Sequence, residues 1–266
     1  MDSADIAIIG GTGVYSPGMV KNAKGVDIET PFGKPSDSIT IGEFAGKKVA
    51  FLFRHGRSHT IPPHKINFLA NIYALKQLGV GRIIATAAAG SLQESYKAGD
   101  VAIPDQFIDF GKNVHTFYDG EESKTARGVY HVSMADPFCT ELRNTLIKAA
   151  EKLKINFHPK GTYLRIEGPQ FSTKAASKMY RQFADIIGMT CIPEAVLARE
   201  LGICFAIIAT ITDYDVWAEK PVDMGAIKDV MERNKENTER IIHLAVSEIS
   251  EKQNCMCMSS LKDAKA

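Results

Sequence analysis

The sequence predicts an α/β fold in a single domain, with a sheet covered by helices. Three observations carry this. The stretch Ile203-Cys204-Phe205-Ala206-Ile207-Ile208-Ala209-Thr210-Ile211 has no polar face, as a strand covered on both sides requires. Strand signals alternate with helix signals along the chain, without repeat or linker. Several strands end in small, polar or charged residues, which suits a ligand site beyond the carboxyl ends of an α/β sheet.

Size and charge narrow the classes. A chain of 266 residues with 45% hydrophobic content can bury one large core. A net charge of +1 gives no field for nucleic acid or an anionic membrane. No apolar run approaches the ~20 residues of a membrane span. Met1-Asp2-Ser3-Ala4-Asp5 is acidic and leads straight into a strand, unlike a signal peptide, so a cytoplasmic protein is expected.

Taken in order, residues 6–9 read as a short buried strand ending in Gly10-Gly11-Thr12-Gly13. Residues 18–38 are rich in Gly, Pro, Asp and Ser and read as turns. Strands 39–44 and 48–53 make a hairpin, and the second ends in Arg54-His55-Gly56-Arg57-Ser58-His59. A helix spans about 67–78, stopped by Gly79-Val80-Gly81. Strand 82–86 leads into Ala87-Ala88-Ala89-Gly90-Ser91, and strand 101–108 opens a long loop to about 133. A helix follows from Asp136 or Pro137 to Leu153. Strand 161–166 ends in Glu167-Gly168-Pro169-Gln170-Phe171-Ser172-Thr173, with a helix from about Lys174. Residues 186–190 form a strand end, 194–201 a helix, and Gly202 feeds the apolar strand. The last helix covers about 224–251. The domain is thus set at 1–251, with 252–266 a mobile tail holding Cys255-Met256-Cys257.

The strand ends carry the chemistry. After the apolar run come Thr212-Asp213-Tyr214-Asp215. If this stretch stays extended, Asp213 and Asp215 face one side, and two close carboxyls raise the pKa of at least one. A neutral Asp can donate a proton. The same pair also fits a helix cap, a divalent-metal ligand or a solvated loop. Gly10–Gly13 can bring N–H groups and a hydroxyl to an anion, yet Ser16 stands where a dinucleotide fingerprint needs Gly. Arg54 can grip a phosphate, Ala87 to Gly90 can offer unobstructed N–H groups, and Thr190 adds a hydroxyl. Together they describe an inorganic phosphate site without a metal. His55, His59 and His64 match no compact zinc pattern. Among five cysteines, Cys191 and Cys204 read as core, whereas Cys255-Met256-Cys257 is too tightly spaced for a Cys-x-x-Cys site and shows no partner ligands for zinc.

These motifs, with Thr30-Pro31-Phe32-Gly33-Lys34-Pro35-Ser36-Asp37, Gly188-Met189-Thr190 and Pro193-Glu194, resemble the 5′-methylthioadenosine phosphorylases of the trimeric purine nucleoside phosphorylase class, over about residues 5–250. The resemblance implies the nucleoside phosphorylase fold, with a twisted mixed sheet, in a homotrimer or dimer of trimers. It implies phosphorolysis of methylthioadenosine to adenine and 5-methylthioribose 1-phosphate, with phosphate as co-substrate and no cofactor. By it, Thr12, Arg54, His55, Ala88 and Thr190 would hold phosphate, with Ala87 contributing only backbone. Met189 would lie under the ribose. Phe171 and Ser172 would meet the base, with Asp213 and Asp215 around N7 and N6 as catalytic acids. Ile227, Val230 and Met231 would accept the methylthio group, and His131 would reach in from a neighbouring subunit. Gln170 departs from the Arg usual in relatives. The Cys-x-Cys tail resembles thermophilic archaeal members, which implies Cys255–Cys257 and Cys139–Cys204 disulfides.

Ser172 with two carboxyls suits adenine, whose N1 accepts and whose amino group donates. A broad purine nucleoside phosphorylase acting on adenosine and inosine is the alternative. A nucleoside hydrolase would need no phosphate cradle, and a nucleoside-binding or sensing protein would need no catalytic set.

Overall fold

The computed structural model describes residues 2–10, 20–218, 224–262 and 264–266. Thr12 lies outside the described residues. The strands are β1 (Ile6–Gly10), β2 (Lys21–Val26), β3 (Ile39–Phe44), β4 (Lys47–Phe53), β5 (Arg82–Ser91), β6 (Val101–Ala102), β7 (Gln106–Phe110), β8 (Phe157–His158), β9 (Thr162–Ile166), β10 (Ile186–Gly188) and β11 (Cys204–Asp213). The helices are α1 (Phe68–Gln77), α2 (Thr140–Lys152), α3 (Lys174–Tyr180), α4 (Cys191–Glu200) and α5 (Met224–Glu248). They make one mixed sheet, in the order β2-β3-β4-β1-β5-β10-β9-β7, with β11 branching from β5 and carrying β6 and then β8.

β11 shows why the core has two layers. Its side chains alternate between faces. Phe205, Ile207, Ala209 and Ile211 pack with α1 and α4, through Ile72, Leu75, Leu197 and Ala198. Cys204, Ala206 and Ile208 pack with α2 and α5, through Leu142, Leu146, Ile241 and Val246. A strand buried on both faces needs an unbroken apolar run, and that is what the sequence shows. Among the described residues, no helix is long and apolar enough to cross a membrane.

β5 is the hinge of the sheet. β1 accompanies it from Arg82 to Ala85, and β11 continues beside it to Gly90. β10 joins antiparallel only at Gly90 and Ser91. Along 86–89, β5 therefore has β11 on one side and, among the described residues, no strand on the other. That gap positions the site.

Several boundaries differ from the sequence reading. β5 runs on through Ala87–Gly90, past the strand end at Thr86 that the sequence predicts, because β11 supplies a partner that local propensity does not announce. β2 was hidden among turn residues: Lys21-Asn22-Ala23-Lys24-Gly25 is exposed and lacks apolar alternation, as suits a lysine-bearing edge strand. α2 starts after Cys139, whose Sγ accepts the Leu142 N–H at 3.5 Å. The segment after 251 is hydrogen-bonded to the rest of the domain. Gln253 Nε2 donates to Gly81 O at 3.0 Å, Asn254 N to Glu141 Oε2 at 2.8 Å, and Ser260 Oγ to Arg199 O at 2.8 Å. The Ala266 N–H reaches Val129 O at 3.0 Å.

The expected disulfides are not formed. All five cysteines are free. Cys204 Sγ lies 3.2 Å from Cys255 Sγ, against about 2.05 Å for a bonded pair. Neither Cys139–Cys204 nor Cys255–Cys257 bridges the chain, so no loop-closure stabilisation accrues from them. The four sulfurs nonetheless share one place in the fold.

Candidate active site

The gap beside β5 is filled by the chain that leaves β10. Because β10 runs antiparallel to β5, Met189 and Thr190 travel back along 86–89 and α4 begins there. β4 delivers Arg54 to the same place, where its N–H donates to Gly10 O at 3.1 Å.

Arg54 is 2% exposed. Its Nε and Nη2 donate to the two oxygens of Glu194, each at 2.7 Å. Nη1 donates to Thr86 O at 2.6 Å, and Nη2 also lies 3.7 Å from Cys191 Sγ. Burial works against the charge, but the Glu194 carboxylate overrides it and holds the pKa above its ordinary value. The two-pronged edge of the guanidinium is thus committed to Glu194. Among the described residues, one Nη1 hydrogen is left beyond the contact with Thr86 O. Sequence reasoning quoted Glu194 in a motif but gave it no role. The available signal was physical: a buried Arg requires a buried carboxylate. The Cys191 thiol beside it is pushed up to about 12 by burial and stays neutral.

Thr190 is buried and precedes α4 without capping it by its side chain. Among the described residues, its hydroxyl has only a 4.0 Å contact with Cys191 Sγ, at the amino end of α4. Ala87 and Ala88 lie on β5 opposite Ala209 and Thr210 of β11. Strand N–H groups alternate in direction, so only part of this stretch can face the gap.

His55 is partly buried, stacked on His59 at 4.6 Å between ring centroids, with Nδ1 2.8 Å from Ile61 O. Burial, and then the Arg54 charge, lower its pKa to about 4. The imidazole is neutral at pH 7. Ile61 O can only accept, so Nδ1 carries the hydrogen and Nε2 presents a lone pair. The folded pKa lies below the unfolded one, so acid protonates the unfolded chain first. The urea midpoint is expected to fall as pH drops from 6.5 to 4, and His55→Asn should flatten part of that fall. An unchanged pH dependence in the variant would show that His55 does not titrate this way.

The other end of the gap holds carboxyls. β11 carries an extra residue at Thr212, so Ile211 faces Ala89 and Asp213 faces Gly90. Asp213 Oδ2 accepts the Thr212 hydroxyl and Oδ1 accepts the Asp215 N–H, each at 2.8 Å. Asp215 does not continue the strand. It turns to φ +49°, which Asp tolerates better than most residues. Burial first, with Asp213's charge adding to it, raises the Asp215 pKa. The neighbouring hydroxyls of Ser177 and Ser172 oppose that rise without closing a good hydrogen bond. Among the described residues, Asp215 Oδ2, Ser172 Oγ and Ser177 Oγ are buried polar atoms with no partner. Ser177, on α3, was not singled out from the sequence.

Two glycines lie close to site side chains. A Cβ on Gly90 would lie 3.1 Å from both Asp213 Oδ1 and Ile187 Cγ2. Gly168 has φ +73°, and a Cβ there would lie 2.5 Å from Met189 Sδ. Met189 is thereby seated beside the Gly168–Pro169 turn. Phe171 is 43% exposed at the rim.

α5 runs antiparallel to β11. Arg82 reaches Ser250 O near the start of β11, Thr238 meets Thr210, and Asn234 Nδ2 donates to Gly99 O, whose own N–H reaches Ile211 O. Earlier turns of α5 therefore extend past the carboxyl end of β11. Ile227 and Val230 are buried there on one helical face, with Met231 beside them half-buried. His131 is exposed on the long loop, where its N–H donates to Ala264 O at 2.7 Å.

With this geometry in place, the relatives are informative. Residues 5–247 match the Phosphorylase superfamily. The S-methyl-5'-thioadenosine phosphorylase of Thermofilum pendens is 54% identical over 266 residues, spanning 99% of this chain and 99% of that one. A methylthioadenosine phosphorylase from an antarctic soil metagenomic library has the same fold at TM-score 0.92 and 46% identity, covering 100% of this chain and 93% of that one. The methylthioadenosine phosphorylase of Schistosoma mansoni in complex with adenine gives TM-score 0.90 at 34% identity, covering 98% and 96%. The chain belongs to the phosphorylase superfamily, in the group of the archaeal S-methyl-5'-thioadenosine phosphorylases.

Proposed function

We propose that the protein catalyses the reversible phosphorolysis of 5′-methylthioadenosine to adenine and 5-methylthioribose 1-phosphate, with inorganic phosphate as co-substrate. The observation that carries this reading is the order of groups along β5. Arg54 donates to Thr86 O at one end, where this reading puts the anion beside Ala87 and Ala88, and the Asp213 carboxyl stands opposite Gly90 at the other. Four residues of strand span about 13 Å, which is the scale of a phosphate, a ribose and a purine set end to end.

The chemistry follows from that order. The C1′–N9 bond breaks, its electron pair passes into the purine, and the ribosyl group becomes cationic. Phosphate stabilises that cation and then closes the C1′–O bond. Arg54, fixed by Glu194, supplies charge. Thr190 and strand N–H groups at Ala88 donate, and the Nε2 of His55 accepts the hydrogen of a protonated phosphate. Thr12 and the backbone of Ala87 complete this end. Asp213 faces the base as the acid that gives a proton to N7, and Asp215, whose burial favours its neutral form, stands behind it. Ser172 serves N1, Phe171 covers the base and Met189 the ribose. Ile227, Val230 and Met231 receive the methylthio group, so adenosine is a weaker substrate rather than an excluded one. His131 acts across a subunit boundary in a homotrimer or dimer of trimers, in the cytoplasm.

Adenine release from methylthioadenosine should require phosphate and saturate with it. Equal rates in phosphate-free buffer would overturn the proposal.

A further inference from the structure

Ser177 touches neither phosphate nor base in the proposed reaction, yet its place is unusual for a serine. α3 is capped by Thr173, whose hydroxyl accepts the Ala176 N–H at 3.1 Å. Ser172 is then the residue before the cap, and Ser177 the fourth of the helix. These two positions meet at a helix start and often hold an apolar pair. Here both are serines, and both hydroxyls are buried. A buried serine inside a helix ordinarily returns its hydroxyl to the carbonyl one turn back. Ser177 does not. Its N–H reaches Thr173 O at 2.9 Å, but among the described residues its Oγ makes no hydrogen bond. Oγ stands instead beside Asp215, whose Oδ2 is likewise buried and unbonded.

The helix is fixed against the turn that carries Asp215. Ser177, Tyr180 and Arg181 share one face of α3. Arg181 lays its guanidinium over the Trp217 ring, 3.7 Å from the centroid, and donates from Nε to Leu92 O at 2.9 Å. Tyr180 and Trp217 pack on the same apolar cluster, with Leu92 and Ile187. Trp217 Nε1 donates to Ser91 O at 2.7 Å. The turn 215–217 is thus clamped between α3 and the end of β5, and the clamp sets Ser177 against the carboxyl.

We propose that Ser177 is a positioning residue, a role that rests on the phosphorolytic reading of this site: its hydroxyl holds the buried oxygen of Asp215 behind Asp213. A hydroxyl suits either form of the carboxyl, since it donates to a carboxylate and accepts from an acid. Burial drives the Asp215 pKa up, and the Asp213 charge adds to the rise. Ser177 leads the groups that oppose it, ahead of the Val216 N–H and Ser172. Among the described residues, Asp213 is the charged side chain that bears on Asp215. Lys174 and Lys178 of α3 are exposed, Arg181 engages Trp217, Tyr214 turns its ring to Trp217, and β5 brings Gly90 and Ser91 there. An ionised Asp215 would set a second negative charge beside the purine as the purine takes up electrons, so its ionisation slows the reaction.

The test is Ser177→Ala in the full chain, read in two ways. The pH dependence of kcat/KM for methylthioadenosine reports ionisations of the free protein. Infrared difference spectra follow the protonated-carboxyl band that Asp215→Asn removes. Without the hydroxyl the carboxylate loses support, so the alkaline fall in kcat/KM and the infrared midpoint should both move to higher pH. The emission of Trp217, the one tryptophan of the chain, should stay unchanged, which shows the clamp intact. A merely structural serine would alter stability and leave both midpoints in place, and that result would overturn the proposal. If Ser177→Ala does not fold, or shifts the emission, Ser177→Cys keeps the size and offers a weaker donor. It should move the infrared midpoint the same way by less, and an unmoved midpoint there would equally overturn the proposal. The infrared reading needs no turnover. A wild-type chain that released no adenine with phosphate would therefore sink the reaction, while the midpoint still decides whether Ser177 holds Asp215.

Discussion

Asp213→Asn is expected to lower kcat on methylthioadenosine by about 10²-fold or more, the scale of a lost general acid. The substitution suits the local structure. The amide oxygen can still accept the Asp215 N–H, and the Thr212 hydroxyl can turn to accept from the new NH₂. What is lost is the carboxyl that the proposed mechanism sets against the base. A purine with oxygen at position 6 should fare differently, because the amide can donate to it. Methylthioinosine should lose less than methylthioadenosine, or gain. The ratio of kcat/KM for the two should move by about 1–3 kcal/mol toward the oxopurine. Asp215→Asn should also slow the reaction, and should remove the fall in rate that deprotonation of Asp215 causes as pH rises. A variant Asp213→Asn that kept both its rate and its adenine preference would remove the strand end from the base-reading role.

Arg54→Ala should have the second large effect, and it is double. With its partner gone, Glu194 becomes a buried, unpaired carboxylate, which typically costs about 3–5 kcal/mol. Phosphate loses its fixed cation, which should lower kcat/KM for phosphate by about 10²–10³-fold. The two effects separate with a second variant. Glu194→Gln leaves Arg54 in place but loosens its grip, so phosphate KM should rise while the loss in Tm stays smaller. Steady-state kinetics at varied phosphate, alongside thermal melts, read both. If Arg54→Ala lost stability but kept its phosphate kinetics, the pair would serve the fold alone.

Much of this was legible because the physics is local. The run 203–211 has no polar face, so its burial on both sides follows. The hairpin at 39–53 and the glycine after Ile9 follow from local pattern and turn chemistry. The turn of Asp213 and Asp215 toward one site was visible, but not its form. The sequence reading put them on one side only if the stretch stayed extended, whereas the strand has an extra residue at Thr212 and Asp215 is left-handed. What was hidden depended on partners far away in the chain. The strand at 82–86 read as ending at Thr86, whereas β11 pairs with it on to Gly90. Arg54 read as a phosphate clamp because Glu194, 140 residues on, could not be seen to occupy its fork. The cysteine pairs inferred from resemblance failed for the same reason, since separation in sequence does not say how sulfurs meet in space.

The most direct test of the account follows the oxygen atoms. Methylthioadenosine is incubated with the protein and inorganic phosphate labelled throughout with heavy oxygen, and the sugar product is analysed by mass spectrometry and phosphorus NMR. Direct attack of phosphate on C1′ should give 5-methylthioribose 1-phosphate carrying the full label, including the bridging oxygen, in equal amount to adenine. Adenine formed alongside free 5-methylthioribose, with no labelled sugar phosphate, would contradict the phosphorolytic site at its centre.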